Sequence, residues 1–248
     1  MICRFAPFLP LFPLIAAQPT AAQEELPPIR IFGGVDFIVA SPTGEFAENV
    51  ARGFGVDLHG RIALDRAGIA SLRFDLGFLQ YGRETIQVCV TQPCRVTGDL
   101  TTSNDIFLLG MGPEVAVTGG RARLYATGNV GLAHFSTSSS VSGSRDAEPY
   151  ASSTNHSDVT FAWTAGGGAQ IRLSRGRTPF HLNLGARYHG NGEAEYLRRG
   201  DIYEDANGNV VIDPRRSDTN FWSFRFGFSM GFPPERIFGN PGTGGDRW

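Results

Sequence analysis

The stretch Phe221-Trp-Ser-Phe-Arg-Phe-Gly-Phe-Ser-Met-Gly-Phe232 leaves a chain few choices. Trp222, Phe224, Phe226, Phe228, Met230 and Phe232 take every second position, with Ser223, Arg225, Gly227, Ser229 and Gly231 between them. A period of two belongs to a β-strand with two unlike faces. In a soluble sandwich the bulky face would fill a core shared with a second sheet. Here the opposite face is one arginine among residues that are nearly all backbone, which suits a crowded, wet interior. The phenylalanine face suits lipid. The expectation is a transmembrane β-barrel with its apolar side outward.

The same alternation recurs along the chain. Val35, Phe37 and Val39 oppose Gly34 and Asp36. Phe54, Val56, Leu58, Ile62 and Leu64 oppose Asp57, His59, Arg61 and Asp65. Leu72, Phe74, Leu76 and Phe78 oppose Ser71, Arg73, Asp75 and Gly77, and Leu109, Met111, Pro113, Val115 and Val117 oppose Gly110, Gly112, Glu114 and Ala116. Three further strands follow over about 121–135, 160–173 and 180–189, before the final one. Pro113 costs its strand a ladder donor. The reading is therefore all-β: an eight-stranded, antiparallel, up-and-down barrel.

Connections divide into two kinds. Asp65-Arg-Ala-Gly68, Gly119-Gly120 and Arg175-Gly-Arg-Thr-Pro179 are tight; 41–49, 82–104, 136–157 and 190–219 are longer and polar. Outer-membrane barrels have an even strand number, short periplasmic turns and long external loops. No run approaches the ~18 apolar residues of a spanning helix. The N-terminus, with Arg4, an apolar run from Phe5 to Ala17 and small residues through Ala22, reads as a secretory signal over 1–22. The expected division is signal 1–22, barrel 23–232 and a flexible periplasmic tail 233–248. Losing Arg4 would take the formal charge from −2 to −3 (−2 − 1), and neither value points to nucleic acid. In an exported chain, Cys89 and Cys94 are expected to form a disulfide that pins one external loop.

The polar faces carry charges of both signs. An arginine on the lipid face near mid-bilayer would cost ~2–4 kcal/mol, so these faces must look inward. Eight strands enclose a space only wide enough to be filled by side chains, and a buried charge there must be paired. The expected lumen network is Asp57, Arg61, Arg73, Asp75, Glu114, Arg172, Arg187 and Arg225.

From glycine-rich strands such as Leu109-Gly-Met-Gly-Pro-Glu-Val115, and a final strand ending in Phe232, the chain resembles the small eight-stranded outer-membrane barrels of the OmpA and OmpX type. The resemblance spans about 29–232. It implies location in the bacterial outer membrane, lipid as surroundings, and recognition of the last strand by the barrel-assembly machinery. The sixteen residues after Phe232 depart from relatives that stop at that aromatic.

Other motifs fall short. Gly239–Asp246 has the glycines of a phosphate loop without its lysine or helix. Asp205-Ala-Asn-Gly-Asn209 has Tyr203 and Pro214 where calcium ligands belong, and reads as an Asn-Gly turn. Tyr188-His189-Gly190-Asn191 resembles the rim histidine of lipid A deacylases but holds Asn191 where their serine stands, so the nucleophile is missing. A soluble lipocalin would need the opposite parity. The expectation is a monomeric barrel with a plugged polar lumen, no cofactor or metal and no catalysis. Its external loops would meet a surface or ligand for adhesion or envelope integrity; the alternative function is a small channel gated by the lumen ion pairs.

Overall fold

In the computed structural model, residues 30–232 are described, except 66, 90–96, 144–148, 175–177, 199 and 205–209. The expected signal, the tail, the Asn-Gly turn and Cys94, with its pairing to Cys89, lie outside the described residues.

Eight long strands close a ring: β1 (Arg30–Pro42), β2 (Gly53–Ala63), β3 (Ala70–Cys89), β4 (Thr97–Gly119), β5 (Ala122–Gly143), β6 (Pro149–Arg172), β7 (Phe180–Asn191) and β12 (Phe221–Phe232). Each pairs antiparallel with its neighbours in sequence order. Closure comes from β12 against β1, with Phe226 opposite Phe37 and Ser229 opposite Gly34. Among the shorter elements, the helix α1 (Glu45–Asn49) lies between β1 and β2. Four short strands, β8 (Glu193–Tyr196), β9 (Ile202–Glu204), β10 (Val210–Ile212) and β11 (Arg215–Asp218), form two small hairpin sheets between β7 and β12.

The parity is the one lipid requires. Phe224 and Phe226 stand 53% and 51% exposed, whereas Arg225 between them is 5% exposed. The outward residues of β4 run from Phe107 to Val117. Ten residue steps are about 34 Å along a strand, or about 25 Å of membrane once tilted. Above this band the outward positions turn polar, at Gln80, Asp105 and Ser136, with Gln80 Nε2 donating to Asp105 Oδ1 at 3.3 Å. Trp163, Tyr188 and Trp222 pack side by side at its upper edge, with centroids 5.6 and 5.4 Å apart. At the other end Gly68 and Gly120 adopt φ of 69° and 61°, which the tight turns there need and a side chain would resist.

Two expectations are corrected. Residues 82–104 and 136–157 are not simple loops: β3 and β5 extend into them as far as Cys89 and Gly143, and β4 and β6 begin within them at Thr97 and Pro149, giving strands of 20, 22, 23 and 24 residues. β2–β3 pairing stops at Phe54/Gln80 and β6–β7 pairing at Ala162/Asn191, while β3–β4 continues to Cys89/Thr97 and β5–β6 to Ser142/Pro149. Thus four strands leave the barrel as one open sheet. Bulges at Gln80/Gly82 and Thr137/Ser138 mark where it departs. The second correction concerns the connections 41–49 and 190–219: α1 of the first and residues 193–198 of the second pack against each other and against inward residues of the barrel.

Met111 sits mid-band on the lipid face, and Met111→Arg is expected to lose about 2–4 kcal/mol of folding free energy. Urea-dependent folding into vesicles reads this loss, and an unchanged midpoint would contradict the assigned faces.

Candidate functional site

The lumen gathers its charges by register. Asp36 on β1 lies directly opposite Asp57 on β2, and Arg61 on β2 directly opposite Arg73 on β3. Like charges facing each other across a ladder repel, so each pair needs an opposite charge from elsewhere on the wall. Arg225 from β12 supplies the first: its Nη2 contacts Asp57 Oδ2 and lies 3.4 Å from Asp36 Oδ2 and 3.5 Å from Asp75 Oδ1. Glu114 from β4 supplies the second. It meets Arg73 Nη1 at 2.9 Å, Arg123 Nη1 at 2.8 Å and Arg61 Nε at 3.5 Å, and is fully buried.

Asp75 joins the two groups. It accepts from Arg73 Nε at 3.0 Å and from Arg187 Nη1, across the lumen on β7, at 2.9 Å. Asn129 Nδ2 also donates to it, and Asn183 Nδ2 donates to Asp36 at 3.1 Å. Four carboxylates (Asp36, Asp57, Asp75, Glu114) and five arginines (Arg61, Arg73, Arg123, Arg187, Arg225) therefore form one chain of contacts touching β1, β2, β3, β4, β5, β7 and β12. Gly168 and Gly185 leave room beside it for Tyr125, whose hydroxyl oxygen stands 2.8 Å from where a Cβ at either position would lie.

Of the residues expected in this network, Asp57, Arg61, Arg73, Asp75, Glu114, Arg187 and Arg225 come together in it. Arg172 does not. It faces inward but sits at the short-turn rim, where its Nη2 donates to the carbonyl of Gly120 at 3.2 Å. Alternation tells a residue's face but not its height. Arg123 and Asp36 were absent from the expected set; both share the inward parity of their strands, which was the available signal.

Among the described residues the cluster able to offer three metal ligands is Asp36, Asp57 and His59. His59 Nδ1 is 3.3 Å from Asp36, and the Arg225 guanidinium already occupies the cluster, so a cation there would compete with a fixed one.

Toward the long-loop end the inward residues change character. Ile38, Leu79, Ile106, Leu108, Ala133 and Phe135 replace the charges and join Phe46 of α1 and Tyr196 of β8 in a buried apolar cluster. The Phe46 ring stands edge-on to Tyr196 at 5.2 Å, to Tyr81 at 5.8 Å and to Phe135 at 6.3 Å. Tyr81 Oη donates to the carbonyl of Leu197 at 3.3 Å, and Arg198 Nη1 to Asn49 at 3.0 Å, so α1 and the 193–198 segment hold each other down. The expected polar lumen thus has an apolar neighbour: an aromatic cap packs at its outer end.

His189 lies beneath this cap. Its Nε2 is 2.9 Å from Ser223 Oγ, its ring stacks on Phe221 at 4.3 Å, and both polar residues are buried. Asn191 turns away and donates to the carbonyl of Thr219 at 2.8 Å.

The family model described as outer membrane protein beta-barrel domain matches residues 8–232, in agreement with this architecture. No curated protein matches the chain. Solved structures similar to it include Ail, the attachment invasion locus protein of Yersinia pestis, at 13% identity, covering 83% of this chain and 99% of that one, with TM-score 0.39. Neisserial surface protein A has 13% identity, coverage of 83% and 96%, and TM-score 0.38. A major outer membrane protein from Thermus thermophilus has 11% identity, coverage of 82% and 99%, and TM-score 0.39.

Glu114→Gln would leave Arg61, Arg73 and Arg123 without their shared counter-charge. A loss of about 3–5 kcal/mol is expected, as for breaking a buried pair from one side. The urea midpoint of the folded barrel measures it, and a shift below about 1 kcal/mol would rule out a dry, coupled network.

Proposed function

Because the chain belongs to the outer membrane protein beta-barrel domain family, and so to the bacterial outer membrane, we propose that it is a non-conducting, non-catalytic surface protein. In this reading a plugged monomeric barrel holds a contact surface outside the cell, serving adhesion or envelope integrity. The observation that carries it is the open sheet of β3, β4, β5 and β6 beyond the barrel. Seven residue steps from Gly82 to Cys89 project about 24 Å, far more than joining two membrane strands requires.

The sheet's chemistry supports a contact role. Its cross-strand contacts include hydroxyl and amide groups, with Thr85 and Thr101 at 3.0 Å, Thr102 and Ser139 at 2.9 Å, and Asn155 Nδ2 donating to Ser139 at 2.6 Å. These side-chain hydrogen bonds add to those of the backbone ladder.

Two observations favour a plug over an ion-pair-gated channel. The ion pairs span the lumen wall to wall, and the Phe46 cluster closes the same path a second time. A catalytic reading has less support, because His189 and Ser223 are both buried and Phe221 stacks on the His189 ring. Membrane insertion through the barrel-assembly machinery, which would read the last strand ending at Phe232, completes the proposal.

Replacing 136–157 by a short turn is expected to leave heat-modifiable gel migration intact while reducing adhesion of expressing cells to a host or abiotic surface. Adhesion equal to that of the full-length protein would refute the contact role. Planar bilayers should show no steady conductance for the native chain or for Phe46→Ala, since the ion pairs still fill the section below the cap. A stable open level in the native chain would favour the channel.

A further inference from the structure

We infer that the short-turn, periplasmic mouth of the barrel is a binding site for a small multivalent anion of the phosphate class. A cavity of about 190 Å³ opens there, lined by Arg61, Arg121, Arg123, Arg172, His181 and Phe32 among others, and no carboxylate of the described residues lines it. The carboxylate that touches this group is Glu114, deeper in the lumen, which Arg61 and Arg123 already share with Arg73. Asp65 in the adjacent turn is engaged elsewhere, accepting the backbone N–H groups of Ile69 and Ala70 at 3.1 and 2.9 Å. Among the described residues the mouth therefore carries more cationic charge than its own acids neutralise.

Donor geometry points the same way. Arg123 is only 8% exposed, yet its Nη2 has no hydrogen-bond partner among the described residues, nor has Arg172 Nε. A buried guanidinium N–H without an acceptor is costly, and a phosphate oxygen is the acceptor that arginine forks match best. Arg61 is held in place from behind: its guanidinium carbon lies 3.9 Å from the centroid of Phe32, whose ring in turn stands 6.2 Å from that of His181. The site is thus a built cradle with fixed walls. The inference is independent of what the external sheet contacts.

The test uses the full-length protein folded in an uncharged detergent and titrated with inorganic phosphate, with chloride holding ionic strength constant. Saturable broadening of the phosphorus resonance and a rise in the thermal midpoint are expected. Arg121→Gln and Arg172→Gln lie outside the Glu114 ion pairs, so both should fold, as gel migration will verify. Each is expected to weaken the Kd about tenfold, the equivalent of one charge-assisted contact. A parallel arm in nanodiscs distinguishes sources: competition by an anionic phospholipid assigns a lipid headgroup, and its absence a free phosphate. Equal responses to chloride alone, or an unchanged Kd in the double variant, would overturn the site.

Discussion

Closing a narrow barrel around charged side chains forces each charge to find its opposite on another strand. Asp36 and Asp57 face each other, as do Arg61 and Arg73, so β1, β2 and β3 alone would build two repulsions into the wall. Relief comes from Arg225 on β12 and Glu114 on β4. The contact between first and last strands that removes the sheet's free edges is thus also the step that neutralises Asp36 and Asp57. A slip of one residue at that seam would turn Arg225 toward lipid and Phe224 or Phe226 inward, and lose both gains together. Ion pairing and register are here the same constraint.

The choice of cation follows. All 22 basic residues of the chain are arginine. A planar guanidinium can present separate N–H groups to different acceptors, and the lumen uses this: Arg73 gives Nε to Asp75 and Nη1 to Glu114. A lysine offers a more strongly hydrated point charge, costlier to bury. Four carboxylates can hold five cations in so small a section because Asp75 and Glu114 each meet three arginines, and Arg73 and Arg225 each bridge more than one carboxylate.

The barrel was legible in the sequence because lipid enforces alternation without exception: Phe54 to Leu58, Leu72 to Phe78 and Trp222 to Phe232 have one face that water never sees. Where lipid ends, that force ends. At Thr101–Ser103 and Ser138–Ser140 both faces meet water, the pattern dissolves into hydroxyls, and strands that continue look like loops. The lumen residues were legible as a set and not as a geometry, since a period of two fixes a face and leaves height open, which is why Arg172 falls at the rim. Phe46 was hidden for another reason. One aromatic in a nine-residue polar connection carries no periodicity, and its burial depends on Tyr196, far along the chain.

The lumen is layered along its axis: an aromatic cap toward the outside, an ion-paired section in the middle, and a cationic mouth toward the periplasm. The layers depend on each other. Excluding external water lowers the local dielectric around Asp75 and Glu114, which strengthens their pairs and raises the penalty for any unpaired charge. A cap of Phe46, Tyr81, Phe135 and Tyr196 needs no counter-charges of its own, so it can seal without enlarging the network. The cavity at the opposite end is lined by Arg61, Arg121, Arg123 and Arg172 and, among the described residues, by no carboxylate. The two ends of the described lumen thus differ in kind: apolar rings that need no counter-ion pack at one, and arginines that attract anions line the cavity at the other.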